Sequence, residues 1–159
     1  MCPALAKQML SPDAGAALRD RARLLRMSMI DLDAVPLRGR HVAIASAAHD
    51  MPSARLFERA AVSLGARVSH IGAEALTLEP RRRAIAARVL GSLYDAVDFI
   101  PLPPRQADAL QDAAGVPVFA DLAGGDSPLC ALLSAPEGSA EREDELLALV
   151  QAVLVQAIG

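Results

Sequence analysis

Apolar residues fall into two patterns along the chain. Four short runs rich in β-branched residues stand at His41–Ser46, Arg67–Ile71, 96–102 and 116–122. Each is too short for a helix and is bounded by Gly, Pro or polar residues, so each reads as a strand. Between them, 52–64, Pro80–Leu93 and Pro104–Ala114 have helical spacing. Each opens on a proline, whose missing N–H is harmless in a first helical turn. The order βαβαβαβ needs crossovers, crossovers make parallel sheets, and such sheets carry helices on both faces. The expected fold is α/β, with a four-stranded parallel doubly wound sheet flanked by helices.

Two helices lie outside this unit. The first, 11–27, starts with Ser11 as N-cap and Pro12 at N1, and turns Leu18, Leu24 and Leu25 toward a partner surface. The last, Ala140–Ile158, holds Glu141, Glu143, Asp144 and Glu145 at the positive end of its dipole. Its stripe of Leu146, Leu147, Val150, Val153, Leu154 and Ile158 must be buried, on the domain or on another chain. The link 134–139, with Pro136 and Gly138, is the one candidate linker. Residues 1–159 therefore read as a single domain: an N-terminal helix and lead-in (1–36), an α/β core (37–134), and a linker with a C-terminal helix packed back on it (135–159).

Composition narrows the function classes. Of 159 residues 53% are hydrophobic, but 33 are Ala, and no stretch approaches the roughly 18 to 20 apolar residues of a membrane span. Residues 1–10 lack a secretory pattern, so no membrane partner and a cytoplasmic location are expected. Cys2 and Cys130 form no disulfide framework or Cys-x-x-Cys pair, and His41, His49 and His70 lack zinc spacing; neither metal nor cofactor is expected. Net charge is −3 and only four residues are aromatic (Phe57, Tyr94, Phe99, Phe119), which argues against a nucleic-acid partner.

Ligands of open parallel sheets collect beyond the carboxyl ends of the strands. Two loops are placed there: 47–55, after the first strand, and 123–130, after the fourth. They supply the candidate ligand-binding residues His49, Asp50, Met51, Ser53, Arg55, Ser127 and Cys130. Neither loop has the glycine spacing of a P-loop or dinucleotide fingerprint. Asp50 reads first as the cap of the helix beginning near Pro52. Cys130, flanked by Leu129 and Leu132, reads first as a small buried hydrophobe, with a nucleophilic role open only if His49 reaches it. Ser53 and Ser127 beside backbone N–H groups offer a weak anion site. Arg81, Arg82 and Arg83 point in different directions and read as a solvated helix face.

The segments Phe57-Glu58-Arg59-Ala60-Ala61, Leu64-Gly65-Ala66-Arg67-Val68, Arg88-Val89-Leu90-Gly91 with Tyr94-Asp95, and Ala114-Gly115-Val116-Pro117-Val118 resemble, in order and spacing, the carbamoyl-phosphate domain of ornithine carbamoyltransferases. Leu10-Ser11-Pro12-Asp13 and Leu37-Arg38-Gly39-Arg40 fit the opening of that domain, and residues 150–159 are similar to the family's closing helix. The resemblance implies a homotrimer, and the family's second, substrate-binding domain is replaced here by the 134–139 link. Position by position, the family's Ser-Thr-Arg-Thr phosphate loop falls on Asp50-Met51-Pro52-Ser53, and its His-Pro-x-Gln on Ser127-Pro128-Leu129-Cys130. Two further family arginines fall near Ile100 and Leu146.

These exchanges have a physical direction. An Arg–phosphate hydrogen bond is worth roughly 1.5 to 3 kcal/mol. Losing three removes about 4.5 to 9 kcal/mol, on the order of 10³- to 10⁶-fold in affinity. Asp50 adds a negative charge and Pro52 removes a donor. The resemblance thus implies a non-catalytic relative of ornithine carbamoyltransferase, acting as an oligomeric scaffold or as a regulatory or small-anion-binding protein, with an authentic carbamoyltransferase as a candidate partner. The alternatives are a residual carbamoyltransferase or carbamoyl-phosphate binder, and a small hydrolase using Cys130 and His49.

Overall fold

A computed structural model describes residues 11–28, 35–48, 50–74, 79–102 and 104–159. Helix α1 (Pro12–Ser28) comes first. It is followed by β1 (His41–Ser46), α2 (Pro52–Ser63), β2 (Arg67–Ile71), α3 (Pro80–Leu93), β3 (Ala96–Ile100), α4 (Pro104–Ala114) and β4 (Val118–Ala120). A 3₁₀ turn, Pro128–Leu132, then leads into α5 (Ala140–Ile158). The Ser11 hydroxyl accepts a hydrogen bond from the Ala14 N–H at 3.3 Å, so α1 is capped as its sequence specifies.

The strands form one all-parallel sheet in the order β2-β1-β3-β4. Two strands are shorter than their apolar runs. Strand β3 stops at Ile100 because Pro101 has no N–H to continue the ladder. Strand β4 begins after Pro117 for the same reason, and it ends where Asp121 turns the chain at φ 52°. Strand order reverses between β1 and β3, so the crevice lies over those two strands. Strand β4 is the outer neighbour of β3, and the loop that follows it lines the same cavity as the N-terminal turn of α2, which follows β1.

Successive side chains of β1 and β3 feed two separate cores. On one face Val42, Ile44, Ala96 and Ile100 pack with Phe57, Phe119, Leu129 and the buried side of α5. On the other, Ala43, Ala45, Val97 and Phe99 pack with Leu110 and Ala87, beneath α3 and α4. Those helices meet closely: a Cβ on Gly91 would fall 1.9 Å from the Ala114 carbonyl oxygen, so only glycine fits there.

Helix α5 docks on its own domain rather than awaiting another chain. From Ala148 to Leu154 every residue is buried, a wider band than its leucine and valine stripe requires, because α1 and α2 both pack against it. The one polar residue in that band, Gln151, donates to the Ser63 hydroxyl at 2.7 Å, as buried amides must find partners. Ser139 caps the helix, its hydroxyl accepting from the Arg142 N–H at 3.2 Å. Replacing Ser139 by Ala is expected to lower stability by about 1 kcal/mol, read as a fall of roughly 2–4 °C in Tm; an unchanged Tm would show the cap to be idle.

Candidate functional site

The N-terminal turn of α2, the loop after β4 and the first turns of α5 enclose a cavity of about 780 Å³ at the carboxyl edge of the sheet. Helix α2 contributes Ser53, Arg55 and Arg59; the loop contributes Gly125 and Cys130; α5 and its approach contribute Glu137, Arg142 and Glu143. Of the residues singled out in the sequence, Ser53, Arg55 and Cys130 meet here. Asp50 reaches its rim through an ion pair with Arg55.

The others are placed as follows. Met51 is partly buried against the core under the site. The Ser127 hydroxyl accepts from the Leu129 N–H at 3.3 Å and caps the 3₁₀ turn, so it is committed to the loop's own backbone. Leu129 is fully buried. His49 lies outside the described residues. Asp50 does not cap α2: the N-cap position is Met51, with no side-chain cap bond. The helix start is instead set by Pro52, and the Asp50 carboxylate faces the Arg55 guanidinium one turn along. The arginine run also departs from a uniformly solvated face, since Arg83 donates to Gln106 at 3.1 Å while Arg81 and Arg82 are exposed. His41 is held by the Ser69 hydroxyl at 2.8 Å, and His70 by Glu58 at 3.2 Å.

Three cationic and three anionic groups balance at the cavity. Arg55 pairs with Asp50, and Arg59 on α2 pairs with Glu143 on α5. Arg142 donates to the Ala135 carbonyl at 2.9 Å, which ties α5 to the link before it. Arg59, Arg142 and Glu143 were not among the sequence candidates. The signal for Arg59 was present, since it follows Arg55 by four residues on one helix face. Arg142 lies one turn before Leu146, on a helix whose docking had to be known first.

The Cys130 thiol donates to the Gly124 carbonyl at 3.4 Å. Burial pushes its pKa up; Arg142 opposes this, while Asp126 and Glu137 add to it. The thiol is therefore held in its neutral, poorly nucleophilic form. It is partly rather than fully buried, at the wall of the cavity.

A second carboxyl lies deeper. Asp98, on β3, is fully buried and accepts from the Leu122 N–H at 3.2 and 3.3 Å through its two oxygens. Burial raises its pKa to about 7, the Leu122 bond opposes this, and the Asp121 charge adds to it. Among the described residues no cluster of three His, Cys, Asp or Glu side chains is arranged to hold a metal ion, and no helix is long and apolar enough to cross a membrane.

No family model matches the chain. A catabolic ornithine carbamoyltransferase of Malacoplasma penetrans is 33% identical over 94 residues, which cover 58% of this chain and 28% of that protein. Among solved structures, a mitochondrial ornithine carbamoyltransferase from Coccidioides immitis matches 77% of the chain and 40% of its own, with a TM-score of 0.60 and 21% identity. The catalytic subunit of an aspartate transcarbamoylase from M. jannaschii matches the same share of this chain and 42% of its own, with a TM-score of 0.59 and 18% identity. The chain thus spans well under half the length of these proteins. Its curated and structural neighbours point consistently to the ornithine/aspartate carbamoyltransferases, and its α/β fold is that of carbamoyltransferase domains.

Proposed function

We propose that this protein is a non-catalytic relative of the carbamoyltransferases, serving as an assembly or regulatory module whose inherited cavity takes small anions only weakly. The observation that supports this reading most directly is the charge balance of the cavity. Each guanidinium at the site is already engaged, Arg55 by Asp50, Arg59 by Glu143 and Arg142 by the Ala135 carbonyl. A doubly negative ligand would have to displace carboxylates from two of them. It would also face an α2 terminus that lacks the N–H of Pro52. The alternative of a cysteine hydrolase is disfavoured by the raised pKa of Cys130 and its bond to Gly124.

The likeness to carbamoyltransferases makes a self-assembling, cytoplasmic protein the natural form of this reading, a homotrimer or a mixed assembly with an active carbamoyltransferase. Two measurements test it. Carbamoyl phosphate at 1 mM is expected to stabilise the fold by less than about 0.5 kcal/mol, as for a ligand at or below its Kd, and addition of ornithine should yield no citrulline. Sedimentation should show an oligomer, alone or with a carbamoyltransferase. Tight uptake, turnover, or a strict monomer with no such partner would each contradict the proposal.

A further inference from the structure

Another cavity, of about 90 Å³, lies between α1, the turn that precedes α5 and the first half of α5. Its floor is apolar, made by Leu132, Ala148 and Leu149. Its rim is not. Arg19, Arg23 and Arg26 follow one another at i, i+4 and i+7 and line it together from a single face of α1. Among the described residues no carboxylate forms an ion pair with any of the three.

Among the described residues the single carboxylate lining this cavity is Glu145, and it is occupied elsewhere. It accepts from the Ser134 N–H at 2.8 Å and the Ala135 N–H at 3.2 Å. Those two bonds hold its pKa below the usual carboxylate range; slight burial opposes them, and Arg142 and Arg26 add weaker help. Three arginines therefore line a cavity at which, among the described residues, the one carboxylate is already committed to backbone donors. Their mutual repulsion is relieved by an anion, and planar guanidinium forks match a tetrahedral oxyanion.

We propose that Arg19, Arg23 and Arg26 form a binding site for a phosphate group at the junction of α1 with the start of α5. The spacing fixes the roles. The three positions span roughly 10 Å along the helix, so Arg23 sits between Arg19 and Arg26. The volume admits one compact oxyanion rather than a peptide segment. Because the site touches the turn pinned by Glu145, its occupancy stiffens the crossing from the core to α5. The phosphate is either free or the terminal group of a larger metabolite, since the same forks recognise both.

Inorganic phosphate and glycerol 3-phosphate, titrated into the isotopically labelled full chain at low salt, separate the two sources by NMR. We expect millimolar binding with amide shifts at residues 19–26 and 132–135. Arg23→Ala should weaken it about tenfold, as loss of one charge-assisted contact requires, with Tm unchanged because the side chain is exposed. Tighter binding of glycerol 3-phosphate than of phosphate assigns the site to a phosphorylated metabolite; equal binding assigns it to the free anion. Three results would overturn the proposal: no shifts, shifts confined to the Ser53 and Cys130 loops, or an affinity unaltered in both Arg23→Ala and Arg23→Glu. The second of these would also weigh against a charge-balanced inherited cavity, whereas failure at α1 alone leaves that reading intact.

Discussion

Unfolding free energy is expected to fall by about 4 kcal/mol between pH 4 and pH 7.5 on account of one side chain, Asp98. Its carboxyl is fully buried, and burial raises its pKa from 3.8 to about 7. The sign follows from proton uptake. Below about pH 4 the group is protonated in both folded and unfolded chains and does not influence the equilibrium. Between about 4 and 7 the folded chain holds a proton that the unfolded chain has released, so stability drops by about 1.36 kcal/mol for each pH unit. Above 7 the slope vanishes. Asp98→Asn keeps an oxygen for the Leu122 N–H without a charge to bury. Urea midpoints of the two proteins should therefore diverge steadily with rising pH, in favour of Asn. A difference that stays constant from pH 4 to 8 would show that the carboxyl does not titrate anomalously.

The second large effect is mechanical. Phe57 is fully buried beneath α2 and lies tilted against Phe119, with ring centroids 6.2 Å apart and planes at 56°. Truncation to Ala removes the ring and leaves a void among residues of α2, the sheet and α5. The expected loss is about 3–5 kcal/mol, a large part of the 5–15 kcal/mol typical of a whole domain. Phe57→Leu, closer in volume, should lose less. Denaturant unfolding checks both, and a loss below about 1 kcal/mol for Phe57→Ala would mean that the interior collapses around the gap. Because α2 also carries Ser53, Arg55 and Arg59, this variant should loosen the cavity wall as well.

The order of elements was legible because each signal is local. Prolines at 52, 80 and 104 open helices, and the β-branched runs have the length of strands. Strand ends were less so, since 96–102 and 116–122 remain apolar on both sides of Pro101 and Pro117, and only the donor missing from proline interrupts the ladder. The candidate site was half legible. Ser53, Arg55 and Cys130 lie in the first turns that follow β1 and β4, whose place at the carboxyl edge follows from topology. Arg142 and Glu143 reach the same cavity through the packing of α5, a long-range event that no window of sequence encodes. Asp50 shows the opposite failure: a short acidic residue just before a helix suggests a cap, yet Pro52 sets the start and Arg55, five residues beyond Asp50, draws the carboxylate away.

The turn at 136–138 has a practical corollary. It is exposed, Gly138 stands at φ 75° with nothing within 4 Å of a would-be Cβ, and the Ser139 N–H reaches back to the Pro136 carbonyl at 3.3 Å. Its neighbours on either side are independently fastened, Ser134 and Ala135 by Glu145, and α5 by its buried middle. Polypeptide grafted between Glu137 and Gly138 would emerge into solvent from two closely spaced anchor points, giving protein engineers a permissive splice site at the rim of the 780 Å³ cavity.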